Sequence, residues 1–462
     1  MRPDRMAQPL LRARLVTVWR FDLRTSKIFA KVRPNDKLGT EETMAITRRI
    51  LLAAAALVLP AQIAAAETVV KWLHIEANPV QVKIWEEVAH DFEAKNPGVK
   101  IEMSFLENEA YKAKAPTLLQ SKERPHIIYS WAGGVLRSQV EAGVLEDITA
   151  GVGDFKAHLS PAAVSAFTVN GRLYGLPYTV SQVGFMYNKE LFAKAGVDGS
   201  KIAAWDDLLD AVRKLKAANV TPIVVGGADK WPLHFYWTNL AVRIGGQSGF
   251  QAALKGENGG FEGPVFQRSG EMFKQLVDLQ PFQTGFLGFK NPQAVGYFGD
   301  GKGAMILAIS SFYHTQRALA ADKVGLSDDK IGWFNFPTVS GGKGDPADTL
   351  GGMNGWLVTK GAPKEAVAFI KFFTSEEVQK RLAAGNYIIP TYQGAESGLG
   401  SAFMRNIAHN IAVSKYHQNF YDQDLGPNVG RVVNDVTAEI AGGTMTPKAA
   451  AKAIQDAYVQ GN

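Results

Sequence analysis

At 462 residues with 46% hydrophobic content, the chain is longer than one hydrophobic core usually organises, which predicts two domains or two lobes of one architecture. Its net charge of +6 sits at the N-terminus: residues 1–66 carry 12 Lys and Arg against 5 Asp and Glu, leaving 38 basic and 39 acidic residues from Glu67 onward, so the body offers no concentrated basic surface and no nucleic-acid partner is expected. Cysteine is absent, which removes disulfides, thiolate metal sites, cysteine nucleophiles and a lipid-bearing cysteine from consideration.

Residues 1–43 show scattered charges and no sustained period, and a second methionine follows at Met44. Arg48 and Arg49 form a positive segment, Ile50 to Leu59 an apolar one, and Ala64-Ala65-Ala66 a small-residue cleavage site before Glu67. That is the build of an export signal over 44–66. Pro60 and Gln62 interrupt the stretch, which falls short of the roughly 20 apolar residues a bilayer core requires. Residues 1–43 are then an over-long start or a disordered extension, and the mature chain is expected to be free in the periplasm, without a lipid anchor. Thr47-Arg48-Arg49 hints at twin-arginine export.

In the mature chain Val69 to His74 reads as a strand. Trp85, Val88, Ala89 and Phe92 follow at the i, i+3, i+4, i+7 spacing of a buried helical face, closed by Asn96-Pro97-Gly98. Val99, Ile101, Met103 and Phe105 alternate as in a half-buried strand, a polar helix through Tyr111 to Ser121 comes next, and His126 to Ser130 is a short apolar strand. This βαβαβ order predicts a parallel sheet covered by helices. Trp205, Leu208, Leu209, Val212 and Leu215 mark a second buried face, with Asp206 and Asp207 in its first turn, where the helix dipole favours negative charge. Strands are expected in Thr221 to Gly227, around Met305 and from Ile331, a helix from Pro363 through Phe373, and helix from Asn434 to Val459 broken at Gly442-Gly443. No repeat or long linker divides the chain, so two α/β lobes sharing chain crossovers are expected.

Motifs for chemistry are missing. Gly246 to Phe250 fails the G-x-S-x-G elbow at its last position, Gly299 to Gly303 is no phosphate-cradling loop, and no histidine pair has ligand spacing. A carboxylate pair for glycoside hydrolysis stays open, because its members need be near only in space. What remains is aromatics beside glycines and amides after strands: Trp131, Trp231, Phe312 with Tyr313, and Gly351-Gly352-Met353-Asn354. Strand ends line the ligand crevice of open α/β sheets, and an aromatic face suits the C–H face of a sugar. For any single tryptophan, core packing competes with this reading; Trp72, Trp85, Trp205 and Trp333 fall on element faces and are assigned to the core.

From Asn170 to Ile223 the chain resembles the family 1 bacterial extracellular solute-binding proteins, the maltose-binding-protein-like sugar-binding subunits of ABC importers. The resemblance is carried by Tyr174-Gly175-Leu176-Pro177, Tyr187-Asn188-Lys189, Phe192 with Gly196, and Trp205-Asp206-Asp207-Leu208. Phe92-Glu93 with Pro97-Gly98, Phe298 to Met305, Gly351-Gly352 and Glu365 to Pro390 extend it over nearly all of Glu67 to Asn462. Ala203-Ala204 departs from the proline-threonine pair common before the tryptophan.

The resemblance implies the α/β type II periplasmic-binding-protein fold: two α/β lobes joined by hinge crossovers, closing on a ligand in the cleft between them. It implies an N-terminal lobe of 67–176 and 338–373 and a C-terminal lobe of 177–337 and 374–462. Carried over residue by residue, it places Trp131 as the stacking tryptophan and Glu76, with His74 near it, in the polar loop after the first strand. Trp231, His234, Gln182 and Phe312 fall at cleft positions of the second lobe. Gly352 supplies a backbone approach and Asn354 an amide. The implied function is a periplasmic, monomeric protein that captures a mono- or oligosaccharide and delivers it to a membrane permease, without cofactor, metal or catalysis. Two rivals stand beside it. One is a carrier for a glycerol-phosphate-like anion, for which Arg137 near Trp131 would supply a cation; the other is a secreted glycosidase.

Overall fold

Strand β1 (Thr68–His74) opens the structure, a computed structural model that describes residues 67–461; the expected leader and the extension before it lie outside the described residues. Helix α1 (Pro79–Lys95) follows, with Asn78 accepting the Val80 N–H at its N-cap and Trp85, Val88, Ala89 and Phe92 buried as their spacing predicts. Strand β2 (Val99–Phe105), helix α2 (Asn108–Gln120) and strand β3 (Ile127–Ser130) complete the βαβαβ unit, and helix α3 (Gly133–Glu141) follows it. β1 pairs in parallel with both β2 and β3. β2 lies at the sheet edge, so its alternation is only partly used: Ile101 is buried, whereas Phe105 is exposed.

Strand β4 (Gly175–Val180) belongs to the same sheet, and β5 (Val183–Asn188) to another. In the second half come helix α4 (Trp205–Ala217), strand β6 (Ile223–Val224), helix α5 (Trp231–Leu254), strand β7 (Met305–Ile309), helix α6 (Phe312–Leu319) and strand β8 (Ile331–Phe334). Strand β9 (Met353–Val358), helix α7 (Lys364–Phe373) and strand β10 (Ile389–Pro390) return to the first half, and helices α8 (Gly426–Ala441) and α9 (Pro447–Gly461) end the chain. The first sheet has the order β10-β4-β9-β3-β1-β2 and the second β8-β5-β7-β6. β9 is antiparallel to both β3 and β4, β5 is antiparallel to β7, and β6 runs parallel to β7. The predicted two-lobed α/β arrangement is therefore present.

The crossings differ from the expected boundaries. β4 continues past 176, and the chain changes sheets at Ser181–Gln182, because β4 is held in register by β9 as far as Val180. Ile389–Pro390, expected in the C-terminal lobe, forms the edge of the first sheet, a place suited to a proline that has no N–H to give a further neighbour. Two crossings bond to each other: Ser181 N–H donates to the Gly352 carbonyl at 2.9 Å, and Gly352 N–H donates to Ser181 Oγ at 3.1 Å. A Cβ at Gly351 would lie 1.7 Å from the Ser181 carbonyl oxygen, so the close approach of the two strands excludes any side chain there.

Aromatic rings pack against each sheet within one continuous buried cluster. In the first, Trp72 meets Trp356 edge-on at 4.9 Å and stacks on Trp85 at 5.5 Å, while Tyr178 stacks on Trp356 at 5.1 Å. In the second, Phe185 stacks on Phe334 at 5.0 Å and Trp205 on Phe336 at 5.7 Å. Ala204 has no side-chain acceptor for the first turn of α4. Asp207 compensates by reaching back to accept the amides of Ala203 and Ala204 at 3.1 and 2.8 Å. Among the described residues no helix is long and apolar enough to cross a membrane.

Candidate functional site

The C-terminal ends of β1, β3 and β7 point toward one cavity of about 230 Å³ whose lining comes from both sheets, as strand-end crevices do in open α/β folds. Of the expected site residues, Glu76, Trp131, Trp231, Phe312 and Asn354 line it.

Trp131 directly follows β3. Its ring meets Tyr129 edge-on at 4.9 Å and Tyr111 at 5.7 Å, and Lys112 Nζ lies 5.6 Å from its centroid. The next residue, Ala132, has φ 61° and ψ −159°, a backbone region that costs a residue with a Cβ on the order of 1–3 kcal/mol. On the other side Trp231 begins α5, preceded by Lys230 at φ 62°. It meets Phe235 at 5.3 Å, and Phe235 stacks on Phe420. Both tryptophans thus stand beside strained, non-glycine turns that fix where their rings point, the kind of strain that collects at binding sites. Asn354 Oδ1 is buried without a protein partner among the described residues.

His74, Gln182, His234 and Gly352 are not brought to the cavity lining. His74 is wedged beside Trp72, Trp85 and Phe105, and its Nδ1 accepts the Glu76 N–H at 3.3 Å; burial lowers its pKa to about 4. His234, also lowered to about 4 by burial, sets Nδ1 3.1 Å from the Trp231 carbonyl and Nε2 3.5 Å from Asp422 Oδ1. Gln182 donates to Asn335 Oδ1 at 2.9 Å. The backbone approach at Gly352 is to Ser181 and to the Phe420 ring, which a Cβ would meet at 2.4 Å. These four residues stand behind the wall and hold it.

Several lining residues went unrecognised in the sequence. Tyr129 and Tyr178 reach the cavity from β3 and β4, Gln81 from the first turn of α1, and Asp229, Asp422 and Gln423 from loops and turns of the second half. Asn78 Nδ2 lies 3.0 Å from His314 Nδ1, and Lys112 Nζ 3.6 Å from Asp422, so polar side chains of the two halves also touch each other beside the cavity.

Glu76 is the most perturbed carboxyl of the lining. Burial against the cavity wall pushes its pKa up to about 7, although the amides of Asn78 and Ala77 favour the charged form; Tyr129 and Tyr178 face it and feel its charge. A carboxyl with a raised folded pKa contributes stability that is complete below its unfolded value of 4.5 and is lost as pH rises through about 7. Glu76→Gln escapes that loss. The variant is expected to match the parent near pH 4 and to exceed it by roughly 1–2 kcal/mol at pH 8, the shift being discounted for solvent in the cleft. Denaturant midpoints across this pH range check it; parallel curves for the two proteins would show that Glu76 is solvated.

Chemically, the cavity offers flat aromatic faces, amides, tyrosine hydroxyls and carboxylates converging from two sides, with Lys112 as its one basic side chain among the described residues. Among those residues no cluster of histidine and carboxylate side chains could hold a metal ion.

Comparison with known proteins agrees with this architecture. The family model for bacterial extracellular solute-binding proteins matches residues 77–380. An uncharacterized ABC transporter extracellular-binding protein of Pyrococcus horikoshii is 26% identical over 199 residues, 42% of this chain and 45% of the relative; the chain spans about half the length of the curated relatives first matched. Among solved structures, a chitin oligosaccharide binding protein superposes with a TM-score of 0.77 at 26% identity, over 85% of this chain and 98% of that one. A structure from work on xylan utilization by the thermophilic bacterium Caldanaerobius polysaccharolyticus gives a TM-score of 0.76 at 28% identity, over 84% and 99%.

Proposed function

The chain belongs to the bacterial extracellular solute-binding protein family, and from that premise we propose that it is the carbohydrate-binding subunit of an ABC importer, capturing a mono- or oligosaccharide outside the cytoplasmic membrane and passing it unchanged to a permease. The observation that carries this reading is a cavity walled by Trp131 and Trp231 from opposite halves of the fold, with amides and carboxylates between them. Stacked rings hold the apolar faces of a sugar ring while the polar groups take its hydroxyls. The halves, taken as lobes that part at Ser181–Gln182, close around the ligand because only the closed form lets both walls touch it at once; a ligand shifts such an equilibrium only through that differential affinity. The first wall is assigned Glu76, Gln81, Tyr129, Trp131 and Asn354, and the second Trp231 and Phe312. A dissociation constant on the order of 1 μM suits capture followed by release.

The relatives named above support a carbohydrate ligand. A glycerol-phosphate-like anion is disfavoured by charge. Glu76, Glu107, Asp229 and Asp422 line the cavity with Lys112 alone against them, and Arg137 is turned away, donating to the Asp424 carbonyl at 2.7 Å. The same carboxylates keep a glycosidase in view, and one experiment separates the readings. Titration with a panel of mono- and oligosaccharides is expected to give stoichiometric thermal stabilisation, a smaller radius of gyration by X-ray scattering, and quantitative recovery of intact sugar. Accumulating hydrolysis products would replace the carrier with an enzyme, and an unchanged melting temperature across the panel would remove carbohydrate binding altogether. Mass spectrometry of the exported protein is expected to find Glu67 at its N-terminus; a chain still carrying Arg2 to Glu42 would remove the expected leader.

A further inference from the structure

The charge inside the cavity is unbalanced, and it is unbalanced across the gap between the two halves. Asp422 shares Lys112 with Glu109, at 3.6 and 3.2 Å. Glu76, Glu107 and Asp229 have no basic side chain within ion-pair distance among the described residues; their recorded partners are backbone amides, those of Asn78 for Glu76, of Glu109 and Ala110 for Glu107, and of Asn291 for Asp229. Glu107 precedes α2 in the first half and Asp229 precedes α5 in the second. Both line the one cavity, from opposite halves; burial is the main cause that raises the Asp229 pKa, the Asn291 amide opposes it, and Glu107 adds to the rise more than either Lys290 or Lys112 offsets, Lys290 being exposed and outside the lining. Two acidic side chains, one from each half, therefore border the same cavity without a basic partner of their own.

A second observation points to a polar ligand in the same place. Gln81 is 3% exposed and lines the cavity, yet its side-chain amide has no protein hydrogen-bond partner among the described residues. The hydroxyls of Tyr129 and Tyr178, side chains 6% and 4% exposed, are likewise without one. Because these side chains line the cavity, their polar groups are available to a ligand there.

Resting on the reading of the cavity as a carbohydrate site, we propose that it selects a cationic sugar, one bearing a free, unacetylated amine, whose ammonium lies between the Glu107 and Asp229 carboxylates and within the field of Glu76. A neutral sugar would desolvate the Glu107 and Asp229 carboxylates with hydroxyl donors alone, and closure would push the two together. An ammonium turns that repulsion into attraction for both lobes at once, so the charge that discriminates the ligand also drives closure. The aromatic faces of Trp131 and Trp231 take the ring as they would in any sugar, and the Gln81 amide and the tyrosine hydroxyls take its remaining polar groups.

The test is calorimetric titration of the intact exported protein with matched sets that differ only at one substituent: glucose, glucosamine and N-acetylglucosamine; galactose and galactosamine; and the β-1,4-linked di- and trimers with hydroxyl, free amine or acetamide at each ring. In at least one set the free-amine member is expected to bind about tenfold or more tightly than its hydroxyl and acetamide counterparts, with an advantage that shrinks at high salt and that Asp229→Asn and Glu107→Gln each reduce. Equal or tighter binding of the neutral or acetylated member in every set would overturn the cationic selectivity and leave the carbohydrate carrier standing. An amine preference that survives both substitutions intact would also overturn it, since another group would then receive the charge. Failure of every set to bind would remove the carbohydrate reading and this inference with it.

Discussion

Trp131→Ala is expected to raise the dissociation constant for the captured sugar about 100-fold, close to 3 kcal/mol, while the protein still folds. The ring is 8% exposed, and that remaining face looks into the cavity. Behind it Tyr129 and Tyr111 hold it edge-on, and the Asn419 amide lies 3.4 Å from the Trp131 carbonyl. Truncation removes the stacking face and frees Tyr129 to move, so the loss falls on ligand contacts and on the preorganisation of their neighbour. Trp131→Phe, which keeps a flat apolar face, should recover part of the affinity. Calorimetry on the three proteins with the same sugar, accompanied by thermal melts without ligand, checks this. Affinity equal to the parent in the alanine variant would take Trp131 out of the site.

The sequence made Trp131 legible because a short apolar strand ends immediately before it, and strand ends face the crevice. Tyr129 was hidden by the same strand: all four residues of β3 are buried, so period-2 contrast vanishes and nothing separates a tyrosine facing the core from one facing the cavity. Tyr178 lies in an equally buried stretch of β4. In α5 every residue from Pro232 to Val242 is buried, and with no polar face to orient the helix, His234 could be assigned to the cavity when it sits one layer behind it, against the lining residue Asp422. Gln81 escaped notice because the helical period becomes visible only at Trp85, after the first turn. Asp422 and Gln423 come from a segment far along the chain whose short helical turn has no periodicity to read. The elements themselves, from β1 to the break between α8 and α9, were legible wherever a buried face alternated with an exposed one. The lobe crossing at Ser181–Gln182 was not, because β4 and β5 are apolar on both sides of it and the register that ends β4 is set by β9, distant in sequence.

Trp72→Ala should cost about 4 kcal/mol of folding stability, the range for truncating a large buried aromatic. Trp72 is fully buried on β1, at the junction of Trp85, Trp356, Phe369 and Phe373, with ring centroids 4.9–5.6 Å away. It ties β1, an inner strand of the first sheet, to α1 and α7 at once, so the rings around it have no single direction in which to collapse and fill the space. Its indole N–H has no protein partner among the described residues, which makes the interaction one of packing and ring edges rather than of hydrogen bonding. Trp72→Phe should therefore cost much less, because it keeps most of the edge contacts and removes the unsatisfied N–H. Chemical denaturation of both variants measures the difference. Trp85 and Tyr178 belong to this cluster and also border the cavity, so the alanine variant should lose some sugar affinity in addition, through a floor that no longer holds still. A destabilisation below 1 kcal/mol, or equal losses for alanine and phenylalanine, would show that the cluster does not carry the first lobe.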